Sequence, residues 1–117
     1  MRSANIERVT NETNINMVLN LDGGGKSIIK TNIPFFDHML DQLCFHSSVD
    51  LELNAQGDIG IDFHHTVEDC GICLGKAFSD AMGDKKGINR YGFFLLPMDD
   101  ALIRVALDFS GRSFLSW

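Results

Sequence analysis

From Thr13 to Leu21 the chain alternates, with Ile15, Met17, Leu19 and Leu21 set against Asn14, Asn16, Val18 and Asn20. That period of two is the mark of a strand with one buried face. Asp22-Gly23-Gly24-Gly25 reads as a turn, and residues 26–31 as the return strand of a hairpin. Asn32-Ile33-Pro34 breaks the strand, and residues 35–46 then follow helical spacing, with Phe36, Met39, Leu40 and Leu43 as the buried stripe. Val49, Leu51, Leu53 and Ala55 alternate with Asp50, Glu52, Asn54 and Gln56 in a third strand. Gly57-Asp58 turns it into a short fourth, residues 59–63, which delivers a second helix starting near His64, with apolar positions at Val67, Ile72, Leu74 and Phe78. Residues 1–88 thus read as a ββαββα unit of the α+β class, a four-stranded mixed sheet with two helices on one face.

Shifting the chain by 88 positions lays Asp100, Ile103, Val105, Leu107, Phe109 and Gly111 onto Glu12, Ile15, Met17, Leu19, Leu21 and Gly23. The pattern predicts a duplicated unit, with residues 89–117 starting a second copy that stops after its first hairpin. Such a chain leaves a strand edge unpaired and an apolar face uncovered, so it is expected to be unfinished as a folding unit.

Composition narrows the function classes. A chain of 117 residues, 44% hydrophobic and 22% charged, is that of a soluble globular protein able to bury a core. The net charge of -6, with no offsetting Lys/Arg cluster, argues against a nucleic-acid surface. No apolar run has membrane-spanning length and the N-terminus carries no signal-peptide core, so a cytoplasmic location is expected. Cys44, Cys70 and Cys73 are odd in number, and the Cys-x-x-Cys pair lies inside a helix; they read as small core residues in a reducing compartment.

The candidate chemistry centres on His64-His65-Thr66-Val67-Glu68-Asp69. On a helix His64 and Glu68, four apart, and His65 and Glu68, three apart, lie side by side. Adjacent histidines diverge by about 100° around a helix of ~3.6 residues per turn, so if both are ligands they serve two ions. The same residues also suit a solvated helix start, where acidic groups favour the dipole. The order is not His-Glu-x-x-His, so a zinc protease has no support. His38, beside the first helix's stripe, is an ordinary surface histidine unless it joins His64 and His65 as a third imidazole for a transition metal. His46 lies two turns further on and need not face the same way. Glu12, at the entrance of the first strand, reads by itself as an edge charge. Between Gly83 and Gly92 runs a glycine-punctuated loop with Lys85, Lys86 and Arg90. It is either a solvated connector or an anion holder, arginine matching a phosphate best.

Several motifs together carry a family resemblance. Arg8-Val9-Thr10-Asn11-Glu12-Thr13, Phe35-Phe36-Asp37-His38-Met39-Leu40-Asp41-Gln42-Leu43, His64-His65-Thr66-Val67-Glu68-Asp69, Lys86-Gly87-Ile88-Asn89-Arg90-Tyr91-Gly92 and Leu107-Asp108-Phe109-Ser110-Gly111-Arg112 follow one another in order. In these the chain resembles the imidazoleglycerol-phosphate dehydratase family of histidine biosynthesis, from Glu7 to Trp117. Phe63 departs from the acidic or small polar residue expected there.

The resemblance implies a lyase that dehydrates D-erythro-imidazole-glycerol phosphate to imidazole-acetol phosphate. It implies two manganese ions per active site and a large cytoplasmic homo-oligomer with sites between subunits. His38, His64, His65 and Glu68 match metal ligands of the first copy. Glu12, His64 and Glu68 are the implied catalytic groups, and Glu12, His38, His46, His65, Arg90 and Arg112 the implied contacts to the small phosphorylated imidazole. Family members continue into a second set of ligands, so this chain alone is expected to be inactive or metal-poor. The readings from other classes are a binuclear metallohydrolase of another family and a non-catalytic assembly fragment. Neither a nucleic acid nor a membrane is an expected partner.

Overall fold

The computed structural model describes residues 1–117 and divides them into two compact units, Met1–Asp84 and Lys85–Trp117. In the first unit the alternating segments become β2 (Thr13–Asn20) and β4 (Asp50–Gly57), paired antiparallel over their whole length. Ile15 faces Ala55, Met17 faces Leu53 and Leu19 faces Leu51, so the pairing puts every buried side chain of both strands on one face. A slip by one residue would turn that face to water.

Two strands differ from the sequence reading. The polar N-terminus forms β1 (Ser3–Val9), antiparallel to β2 and giving Ile6 to the core. Residues 59–63 form no strand; Ile61 N–H donates to the Asp58 carbonyl (2.9 Å) and closes a turn. The expected hairpin with residues 26–31 is also absent. β3 (Ser27–Lys30) lies parallel to β4 at the far edge, and the sheet order is β1-β2-β4-β3. The cause lies at the start of β4. Asp50 Oδ1 accepts from the N–H groups of Gly24 and Lys26, both at 2.8 Å, and so gathers the glycine turn around itself. Those backbone donors also hold the Asp50 carboxyl below its usual range. Gly23 runs so close that a Cβ there would collide with the Asp50 carboxyl. The four residues of β3 cannot compete with the eight of β4 for the edge of β2.

A parallel β3–β4 pair needs a crossover, and α1 (Pro34–Ser47) supplies it. Pro34 occupies its first turn, where a missing N–H costs nothing. Asp37 then accepts from Thr31 N–H (3.0 Å) and the Thr31 hydroxyl (2.5 Å), tying the helix start to the end of β3. Its buried residues are Leu40 and Cys44, with Phe36 packed beside them; Met39 and Leu43, expected in the core, are in fact exposed. α2 (His64–Met82) also differs from its apolar pattern: Val67 and Ile72 are exposed, and its buried face is Thr66, Asp69, Cys70, Cys73, Ala77 and Ala81. Small side chains there let the helix backbone approach the sheet closely. Both helices join one core cluster against the same face of the sheet. Burial pushes the Cys70 thiol up to about 12 and raises Cys44 and Cys73 as well, so all three are neutral packing groups. No helix is long and apolar enough to cross a membrane.

The second unit is a hairpin of β5 (Tyr91–Met98) and β6 (Ala101–Asp108). Its register repeats that of β1–β2 at the 88-residue offset: Ser3 faces Asn20 as Tyr91 faces Asp108. Both hairpins are also closed by an arginine at the start of the first strand. Arg2 reaches Asp22 at 2.7 Å, holding that carboxyl down at about 2, and Arg90 grips Asp108 through Nε (2.6 Å) and a terminal nitrogen (3.2 Å). The faces differ. Where the first hairpin turns Asn5, Glu7 and Asn14 outward, the second carries Phe93, Leu95 and Leu102, and its inner face is apolar too; all these side chains are exposed.

Candidate metal-binding and catalytic site

Topology sends the candidate residues of the first unit to one end of the sheet. β2 begins where β4 ends, Thr13 facing Gly57, so the β1–β2 turn with Glu12 lies beside the last residues of β4. β3 runs parallel to β4 and stops at the same end, so α1 also starts there, with His38 near its N-terminus. α2 follows from the end of β4 with His64, His65 and Glu68 in its opening turns. His46 is left out: it sits in the last turn of α1, about 12 Å along the axis from His38 at ~1.5 Å per residue, with its ring edge-on to Phe45.

Each element is fixed by identifiable contacts. In the β1–β2 turn the Thr10 hydroxyl accepts from the N–H groups of Glu12 (3.1 Å) and Thr13 (3.0 Å), holding the backbone and leaving the Glu12 side chain in solvent. A shallow open depression lies between this turn and the end of β4, lined by Glu12, Asn14, Gln56 and Asp58 among others. α2 is clamped to the strands by Asp69. Its carboxylate, almost fully buried, accepts from the Thr13 hydroxyl at 2.5 Å and pairs with Arg8 at 3.1 Å. Thr13, then Arg8, hold the Asp69 carboxyl below its usual range. One turn earlier the fully buried Thr66 packs into the space at Gly57, where a Cβ would overlap its hydroxyl. Gly57→Ala is therefore expected to destabilise the unit by about 1–3 kcal/mol, as overpacking does, readable as a lowered midpoint in urea unfolding.

The imidazoles diverge, as adjacent positions on a helix must. His64 turns Nε2 to Oε2 of Glu68 at 2.6 Å, whereas His65 turns Nδ1 to Oδ2 of Asp58 at 2.8 Å. Their rings are 5.5 Å apart and nearly perpendicular, at 88°. Asp58 raises the His65 pKa by that hydrogen bond, and Glu12 and Asp62 add to the field. The Asp58 partnership was missed in the sequence, where Asp58 reads as a turn residue. No three His, Cys, Asp or Glu side chains gather into a set that could hold one ion. The helix pairs His64 with Glu68, while His38 stands exposed at the start of α1.

In the second unit Arg90 and Arg112 both act on Asp108. Arg90 holds it by the fork described above, its guanidinium 5.1 Å from the Tyr91 ring centre, and the Arg112 charge lowers the same carboxyl further. Arg112 itself lies in the loop after β6, its N–H bonded to the Ser110 hydroxyl (3.0 Å).

These features define an α+β protein with a repeated hairpin and two separate imidazole–carboxylate pairs, His64–Glu68 and His65–Asp58, at one end of its first sheet. Residues 31–117 match the family model described as imidazoleglycerol-phosphate dehydratase. The chain belongs to the imidazoleglycerol-phosphate dehydratase family. It is 58% identical over all 117 residues to the imidazoleglycerol-phosphate dehydratase of Cereibacter sphaeroides (strain ATCC 17029 / ATH 2.4.9), covering 60% of that protein. Against the Azoarcus sp. (strain BH72) enzyme of the same name it is 59% identical over 112 residues, 96% of this chain and 57% of the relative. The crystal structure of imidazoleglycerol-phosphate dehydratase from Staphylococcus aureus subsp. aureus N315 superimposes with a TM-score of 0.84 at 38% identity, over 97% of this chain and 61% of that one. The chain thus spans about three fifths of the length of these relatives.

Proposed function

We propose that this chain is the N-terminal portion of a divalent-metal-dependent hydro-lyase that converts D-erythro-imidazole-glycerol phosphate to imidazole-acetol phosphate in the cytoplasm. What supports the reading is that, in a chain of this family, the β1–β2 turn with Glu12 and the opening turns of α1 with His38 and of α2 with His64, His65 and Glu68 all lie toward one end of the sheet. Mixed imidazole and carboxylate donors suit manganese or a similar divalent transition-metal ion, so the residues fit one. With fewer than three donors gathered in the chain, His38, His64, His65 and Glu68 would supply part of each coordination sphere. The remaining ligands would come from the second copy of the unit in the full-length protein, and the reading includes a homo-oligomer with sites between subunits. Two ions per site accord with the perpendicular imidazoles.

When bound, the metal supplies a Lewis acid that stabilises negative charge on the substrate's imidazole ring. Glu12, held at the turn with its carboxylate free in solvent, accepts the proton from the carbon next to the departing hydroxyl. The electron pair of that C–H bond becomes the new carbon–carbon double bond, the C–O bond breaks, and the hydroxyl leaves with a proton as water. The enol so formed takes up a proton at carbon and becomes the ketone. Arg90 and Arg112 would supply the cationic donors for the phosphate, Arg90 through guanidinium N–H groups other than those its fork gives to Asp108.

The test is to make the full-length protein and follow ketone formation from imidazoleglycerol phosphate with and without a chelator. Activity is expected to vanish on metal removal and return with Mn2+. Release of inorganic phosphate without ketone would instead identify a metallohydrolase, and absence of both would leave an assembly role.

A further inference from the structure

We propose that Asp58 is a positioning residue that holds His65 in the tautomer protonated on Nδ1, so that the Nε2 lone pair faces outward to bind a cation. The proposal rests on the metal-dependent reading above and deepens it. A hydrogen bond at one imidazole nitrogen decides where the proton sits, and the flat ring then aims its other nitrogen the opposite way. Carboxylates that take the N–H of a metal-binding histidine both fix its orientation and raise its basicity.

The setting is built for this task. Asp58 is recessed, its side chain 20% exposed, while His65 is 46% exposed at the surface. The imidazole N–H is at 2.8 Å from Oδ2, whereas Oδ1 is buried and accepts from no protein group. Burying a carboxylate with one oxygen unpaired is costly, so stability alone does not favour an acid here. The backbone on both sides is immobilised. The Ile61 N–H closes the turn on the Asp58 carbonyl, and Thr66, next to His65, is seated against Gly57, next to Asp58. Carboxylate and imidazole are therefore held in register through their chain neighbours as well as through their own contact. His64 is directed by a different carboxylate, Glu68, so the two adjacent rings are aimed separately.

The experiment uses the full-length protein labelled with 15N-histidine and stripped of metal, at a pH where His65 is neutral. Two-dimensional NMR is expected to show the Nδ1–H form for His65. Asp58→Asn keeps the size of the side chain, yet its amide can donate to Nδ1, the wrong-tautomer effect known from the equivalent change in a catalytic triad. His65 is then expected to switch to Nε2–H, and affinity for Mn2+, measured by competition with a chelating dye, to fall about 10–100-fold. Asp58→Ala should give the same loss without the amide, which covers the event that the Asn variant does not fold. An Nδ1–H signal that survives in both variants would overturn the proposal. So would a switched tautomer with undiminished Mn2+ affinity, provided His65→Ala weakens binding. Should His65→Ala leave the affinity intact as well, the failure lies with the metal reading.

Discussion

Glu12→Gln in the full-length protein is expected to lower dehydration of imidazoleglycerol phosphate by about 10²–10⁴-fold, the range general acid–base catalysis contributes, with bound manganese unchanged. The geometry makes the substitution selective. Glu12 is anchored through its backbone N–H on the Thr10 hydroxyl, so exchanging its carboxylate for an amide leaves the turn intact. It makes no hydrogen bond or ion pair with the histidines, which are held by Asp58 and Glu68 instead. Parallel assays of turnover and of metal content by elemental analysis decide the point. Full activity in the variant removes Glu12 from the chemistry, and lost metal makes it a ligand.

Asp69→Ala is expected to give the largest loss of stability. Two donors converge on this carboxylate, the hydroxyl of the buried Thr13 and the Arg8 guanidinium, whose Nε is already buried without a partner. Leaving the buried Thr13 hydroxyl without this acceptor costs about 1–3 kcal/mol, while the Arg8 pair, its side chain 36% exposed and screened by solvent, adds little. The folded-state pKa is depressed, so this stabilisation is fully present above the ordinary carboxylate value of 3.8 and is lost as pH falls through the lower folded value. Urea unfolding at pH 7 should therefore separate the two proteins, and the gap should close in acid below that value. A gap that persists unchanged there would mean that packing, not the charge, accounts for the loss.

Both experiments turn on contacts that sequence patterns expose unevenly. The alternation of β2 and β4 was legible because each buries one face and solvates the other, and the repeat was legible because its 88-residue spacing survives in the strand ends and the register alike. β1 was hidden, since an edge strand with Ile6 as its fully buried apolar side chain has little pattern to show. The pairing of β3 was misread because a glycine turn between two strands looks like a hairpin. Nothing in the local sequence says that Asp50, more than twenty residues on, draws that turn to itself. The face of α2 escaped for a third reason. Apolar periodicity weighs large side chains, whereas this helix lies close to the sheet on cysteines, alanines, a threonine and an acid.

At the site, the i,i+4 spacing announced His64 with Glu68, and the helical angle announced that His65 would look elsewhere. What His65 looks at, Asp58, lies seven residues back, beyond any helical or strand period, and becomes its neighbour through the turn at residues 58–61. The direction of β3, antiparallel to β2 in either arrangement, already sent the start of α1 to the sheet end where β2 begins and β4 ends, so the misread pairing did not alter the end at which His38 lies.

The closed core of Met1–Asp84 also bears on the order of events at the ribosome. Every strand and helix of that unit finds its partners within the first stretch synthesised, so it can fold as soon as α2 has emerged. At about 5–20 residues per second, the oily hairpin behind it appears only seconds later. During synthesis the hairpin with both faces apolar therefore emerges last, after the strands and helices of the first unit.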